Sequence, residues 1–152
     1  MTVQQFEYSS PAPTASLWAG TANELAQADV SFPKQRFATL LMTDGGFEQI
    51  EPLIERFLLA GCRYVVCWGA SCEAVHDFVD EVSVVMQLDG RLDTEDLVMT
   101  TWHEDKSLAD VVWYARHCAM TSDDIESTTL LCLLVNCSEH ISPLDLLLQE
   151  PA

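Results

Sequence analysis

Basic side chains are scarce in this chain: 7 Lys and Arg stand against 24 Asp and Glu in 152 residues, a formal net charge of −17. Binding to DNA or RNA phosphates relies on cations that displace counterions, so direct nucleic-acid recognition is not expected. An anionic membrane surface is disfavoured for the same reason. Long apolar runs are missing as well, since none approaches the roughly 18 residues that span a bilayer. The start, Met1-Thr-Val-Gln-Gln-Phe-Glu7, has neither a basic n-region nor an apolar h-region, so no secretory leader is expected and a cytoplasmic location follows. None of the 6 cysteines forms a Cys-x-x-Cys pair, which removes support for a zinc ribbon or a thioredoxin-type motif and leaves reduced thiols as the expectation. Phosphate signatures are absent too. Asp44-Gly-Gly-Phe47 has neither the Gly-x-Gly-x-x-Gly pattern nor a Walker lysine, and no Gly-x-Ser-x-Gly elbow occurs.

What the chain does have is apolar content. Hydrophobic residues make up 49% of it, enough for one full core but too little chain for two. Residues 1–35 read as an irregular lead-in, broken by Ser9-Ser-Pro-Ala-Pro-Thr14, with a short helix near 22–28. Residues 36–152 read as a single α/β domain. Phe37–Met42, Cys62–Trp68, Leu97–Trp102 and Thr129–Asn136 are strand-like, the last nearly all apolar and so expected at the sheet centre. Between them lie helical faces: Phe47, Ile50, Ile54, Phe57 and Leu58 up to Gly61; Val75, Phe78, Val79 and Val82 behind a Ser71 cap and on towards Leu88; Leu108, Val111, Val112 and Ala115 behind a Ser107 cap. Asp89–Asp96 and Thr121–Ser127 read as acidic loops, and Pro143 opens a last helix over Leu144–Gln149. Alternation of this kind favours a three-layer sandwich with a mostly parallel sheet of four, at most five, strands flanked by helices.

Two blocks gather chemistry at the ends of strand-like runs: Trp68-Gly-Ala-Ser-Cys-Glu-Ala-Val-His-Asp77 and Met99-Thr-Thr-Trp-His-Glu-Asp105. Carboxyl ends of parallel strands are where open α/β sheets place their ligands. Cys72 sits at an expected helix start with His76 at i+4, the beginnings of a nucleophilic pair, and His103 supplies a possible acid–base group. The neighbouring Glu73, Asp77 and Asp80 oppose a thiolate there. Cys72, His76, His103 and Asp105 are the residues from which a metal site would have to be built, but one i, i+4 pair is weak support, and no metal or cofactor is expected. Trp68, Trp102 and Trp113 offer contact area, and Glu104 and Asp105 also suit the start of the following helix.

The blocks Cys62-Arg-Tyr-Val-Val-Cys-Trp-Gly, Cys72-Glu-Ala-Val-His-Asp and Val98-Met-Thr-Thr-Trp-His-Glu-Asp-Lys-Ser-Leu resemble those of a small uncharacterised bacterial α/β domain family, over roughly residues 37–137. The resemblance implies the fold and carries no catalytic roles.

From Ser71 to Glu126 there are 14 acidic residues against 3 basic ones, a net of −11. Such a field steers a basic partner. The leading expectation is therefore a non-catalytic, acidic protein-binding domain, an immunity- or antitoxin-like inhibitor of a basic protein such as a toxin, with homodimerisation also open. Its candidate binding residues are Trp68, Glu73, His76, Asp77, Trp102, His103, Glu104, Asp105 and Trp113. The alternative is a small enzyme or ligand sensor using Cys72, His76 and His103 at the strand ends, and a third is an acidic mimic of nucleic acid.

Overall fold

The computed structural model describes residues 3–10, 14–119 and 129–150. Strands β1 (Gln4–Tyr8), β2 (Ala15–Gly20), β3 (Phe37–Asp44), β4 (Cys62–Ala70), β5 (Met99–Trp102) and β6 (Thr129–Val135) form one sheet in the order β1-β2-β6-β3-β4-β5. Among the described residues β1 and β2 pair antiparallel and every other neighbouring pair is parallel. The helices are α1 (Ala22–Gln27), α2 (Glu51–Ala60), α3 (Cys72–Leu88), α4 (Leu108–His117) and α5 (Ile141–Gln149).

Two cores, one on each face of the sheet, follow from the period-2 alternation of the strands. Leu41, Leu131, Leu133 and Val135 pack with Leu25 of α1, Phe57 of α2 and Val79 of α3. Leu40, Met42, Leu130 and Leu134 pack with Val112 of α4 and Leu144 of α5. The chain moves outward through β3, β4 and β5 with its helices on the first face, then returns to β6 with α4 on the second. Right-handed crossovers require that change of face when the direction of travel reverses. β6 lies between β2 and β3 and is buried at all but its first residue, in keeping with its apolar sequence.

The sheet has six strands, and the segment expected to be irregular over 1–35 holds β1 and β2 beside the anticipated short helix. β2 is Ala-Ser-Leu-Trp-Ala-Gly, a weak strand former by composition, yet all its residues are buried between β1 and β6. Tertiary pairing overrides propensity here. Ser9-Ser10 and Thr14 lie between the antiparallel strands β1 and β2, with residues 11–13 outside the described residues. Smaller differences concern ends: β5 begins at Met99, and α5 begins at Ile141 with Pro143 inside its first turn, where a missing N–H costs nothing. The anticipated loop Thr121–Ser127 lies outside the described residues.

The loop after α3 is fastened to the sheet by Asp96, which meets Arg36 at 2.6 Å and Arg63 at 2.8 Å. Hydrogen bonds from Arg63 and then Arg36 hold its carboxyl at about 2, below the usual carboxylate range. A depressed folded pKa gives stability that is present above pH 4 and lost as pH falls through 2. Asp96→Asn should therefore cost about 1 kcal/mol of stability at pH 7 after solvent screening, which lowers the melting temperature by about 3 °C. The gap to wild type should close between pH 4 and pH 2 in acid-titrated thermal melts; a gap independent of pH would remove the ion pairs as its cause.

Candidate binding surface and strand-end cavity

The carboxyl ends of β3, β4, β5 and β6 surround a cavity of about 510 Å³. Its floor is Met42, Thr43, Cys72 and Cys137, all buried, and its rim includes the exposed Asp44, Glu104 and Asp105. The neighbours β6 and β3, and likewise β4 and β5, send their following helices to opposite faces, which opens a crevice between the departing loops. Backbone geometry is unusual in the same place. Ser71, Asp105 and Asn136, at φ 62, 57 and 59, are the non-glycine residues with positive φ among the described residues, and they follow β4, β5 and β6 respectively. Such conformations cost of order 1 kcal/mol or more for an L residue and concentrate at binding sites.

Local contacts show how the loops are held. Gly69 (φ 117) lets β4 approach β3 so closely that a Cβ would lie 2.3 Å from the Thr43 carbonyl oxygen. Ser71 occupies the residue before α3, but its left-handed backbone leaves no side-chain cap bond, contrary to the expected N-cap. Ser107 does cap α4, accepting from the Asp110 N–H at 3.1 Å. Asn136 was not singled out in the sequence. Its Oδ1 accepts from the Ala22 N–H and its Nδ2 donates to the Gly45 carbonyl, both at 3.0 Å, tying the loops after β2 and β3 to the end of β6. An Asn closing an apolar run, where left-handed backbone is tolerated, is the sequence signal that could have found it.

The candidate nucleophile and bases fall into two places. Cys72, His103 and Asp105 all line the cavity, whereas His76 is absent from its lining. His76 instead lies against Trp102, ring centroids 4.6 Å apart, with Nδ1 3.0 Å from Asp77 and Nε2 3.5 Å from Asp80. Burial raises the Cys72 thiol pKa, which opposes a resting thiolate. Burial and then Lys106 lower that of His103, so its imidazole is neutral near pH 7. His103 Nε2 sits 2.9 Å from the Thr101 hydroxyl, and its ring lies 4.4 Å from that of Tyr114. Trp68 donates its indole N–H to the Lys106 carbonyl at 2.9 Å and meets His140 edge-on at 5.1 Å. Among the described residues no group of three or more His, Cys, Asp and Glu is placed to hold a metal ion.

The other cysteines follow their apolar settings. Cys62, Cys67, Cys132 and Cys137 are buried, and desolvation drives their thiols upward, to about 11 for Cys62 and about 12 for Cys132 and Cys137. Cys118 is exposed. An aromatic disulfide reagent at pH 8 should therefore modify one thiol quickly, and all 6 after unfolding in guanidinium. Rapid modification that survives Cys118→Ser would mean the Cys72 environment opens readily.

A second assembly of candidate residues lies at the sheet edge. Trp102 ends β5 and is 42% exposed on the α3 side of the sheet. The Thr100 hydroxyl donates to Asp80, and Asp80 faces His76, so β5, α3 and the Trp102 ring form one linked unit. Glu73 and Asp77 are exposed on the same helix. Trp113, 59% exposed, lies on α4, on the other side of the sheet, with its ring 5.1 Å from His117. It lines a small cleft of about 220 Å³ with His103, Lys106 and Tyr114. Trp102 and Trp113 thus flank the carboxyl end of β5 from opposite faces.

These features define a doubly wound α/β domain with an acidic strand-end crevice and an aromatic, acidic edge. The chain belongs to a family described as a domain of unknown function, DUF7684, whose model matches residues 20–150. No curated protein and no solved structure matches it.

Proposed function

We propose that this chain is a non-catalytic, acidic protein-binding domain that captures a basic protein through the β5 edge, in the manner of an immunity or antitoxin-like inhibitor. The observation that carries the reading is Trp102, an indole left 42% exposed at the outermost strand of the sheet while His76, Asp77 and Asp80 hold its surroundings in place. Large aromatic side chains held rigidly on a surface are typical anchors of interfaces, because they bury much area with little loss of freedom. Strand β5 is Met-Thr-Thr-Trp, without the lysine, proline or other charge that blunts sheet edges. The charge of −17 opposes pairing with a second copy and favours a cationic partner.

The alternative Cys–His enzyme keeps Cys72 and His103 in one cavity but loses His76, which lies at the β5 edge, and burial raises the Cys72 thiol pKa, against a nucleophilic thiolate. Affinity capture from the native host, comparing wild type with Trp102→Ala/Trp113→Ala, tests the proposal. A basic protein that is retained by wild type, is lost from the variant and binds again as a purified pair supports it. A partner held equally by both proteins, or none at all at low salt, overturns it.

A further inference from the structure

The sheet ends in two strands, β1 and β5, and these edges are built differently. The exposed residues of β1 are Gln4, Gln5 and Glu7, with Gln5 donating to the Glu7 carboxylate at 2.7 Å. A charge on an edge discourages the addition of another strand. The exposed residues of β5 are Met99 and Trp102, with Leu97 exposed just before it, and none of them is charged.

The ladder between β4 and β5 fixes which backbone groups of β5 are free. Thr101 is the partner of Val66, and the His103 N–H donates to the Cys67 carbonyl at 3.1 Å. Alternate residues of a parallel strand bond to the same neighbour. Thr101 and His103 therefore turn to β4, and the N–H and C=O groups of Thr100 and Trp102 point outward. Among the described residues no strand pairs with them. The side chains of the same two residues lie towards α3, where the Thr100 hydroxyl donates to Asp80 and the Trp102 ring rests on His76.

A strand laid on this edge would alternate its side chains between two surfaces. On the α3 side, Asp77 and Asp80 stand on either side of His76, and Glu73 lies one turn before Asp77. Helix α3 contains no Lys or Arg. An arginine there can stack on the exposed Trp102 indole and pair with a carboxylate at once. On the α4 side, Trp113, Tyr114 and the neutral His103 line the small cleft, and Lys106 offsets Asp110. Apolar side chains suit that surface.

We propose that the β5 edge takes up an extended segment of the basic partner as a further strand, bonded to the Thr100 and Trp102 backbone. In that segment Lys or Arg, facing α3, alternates with apolar residues facing α4. The inference rests on the protein-binding reading and specifies how the partner is held. A second copy of this chain is the wrong occupant, because pairing two β5 edges would bring like carboxylates of α3 together.

The probe is the acetylated and amidated peptide Lys-Val-Arg-Val-Lys-Val-Arg-Val. Its control, Lys-Arg-Lys-Arg-Val-Val-Val-Val, keeps the charge and loses the alternation. Backbone amide exchange of the full chain is read by NMR. In the free protein the Thr100 and Trp102 amides should exchange fast and the Thr101 amide slowly. The alternating peptide should bind about tenfold tighter than the control or better, and slow Thr100 and Trp102 exchange by a similar factor. Thr101 should not change. N-methylation of one alternate set of peptide residues should abolish binding, whereas N-methylation of the other set should not. Strand addition is overturned by Thr100 and Trp102 amides already protected in the free chain, whether by this chain or by a second copy. It is equally overturned by no binding of the alternating peptide, by equal binding of the two peptides, or by binding that leaves those amides unprotected. Affinity capture separates this failure from that of the broader reading. A Trp102-dependent basic partner that leaves the Thr100 amide unprotected removes strand addition and keeps the protein-binding domain. Every peptide measurement is made on wild type, so none depends on a variant that folds.

Discussion

Gly69→Ala should destabilise the fold by about 4 kcal/mol or more and lower the melting temperature by roughly 10 °C. Two effects act together. At φ 117 the residue occupies a region that L side chains rarely adopt, and the added Cβ would stand 2.3 Å from the Thr43 carbonyl oxygen. That oxygen is backbone at the carboxyl end of β3, flanked by a parallel strand on each side through Thr43↔Gly69 and Thr43↔Val135, so it cannot swing aside as a side chain would. Relief requires β3 and β4 to part at the mouth of the cavity. Gly90→Ala is the control: its φ of 87 is also left-handed, but no atom lies within 4 Å of its Cβ position. Only the backbone term remains there, about 1 kcal/mol. Thermal melts of the two variants measure the difference, and equal losses would show that the β3–β4 approach yields easily.

Trp102→Ala should weaken capture of the basic partner by about 30-fold or more, the effect of losing an interface anchor worth about 2 kcal/mol. Stability should fall by much less than a core truncation causes, because the indole is 42% exposed and its ring packs on His76. Asp77→Asn, by contrast, changes an exposed charge beside His76. It should slow association and flatten the salt dependence while leaving dissociation nearly unchanged. Surface-based kinetic measurements with the captured partner separate these outcomes. A Trp102→Ala protein that binds as wild type does, while melting far lower, would assign the indole to folding and end the interface proposal.

Much of the site was legible as composition and much of its geometry was not. The two blocks ending β4 and β5 do converge at the strand ends, because strands that are parallel and adjacent deliver their following residues to one edge. Spacing alone joined Cys72 to His76 at i+4. It could not show that Cys72, the first residue of α3, is buried in the cavity while His76 reaches past it to the β5 edge. Asn136 escaped notice because its partners Ala22 and Gly45 lie 114 and 91 residues away in sequence, and Thr43 because its burial depends on strands β4 and β6 closing on either side of it.

The sequence by itself determined the α/β class, four of the six strands, the helical faces, the burial of Cys62, Cys67, Cys132 and Cys137, and a surface field that favours cations. Those properties are local or additive: periodicity follows from the geometry of one element, and net charge from a count. Tertiary structure decided the order β1-β2-β6-β3-β4-β5, the recruitment of Ala15–Gly20 as a fully buried strand, and the separation of the cavity from the Trp102 edge. Those depend on which strands pair, and parallel pairing is settled by packing between distant segments rather than by the residues of any one strand.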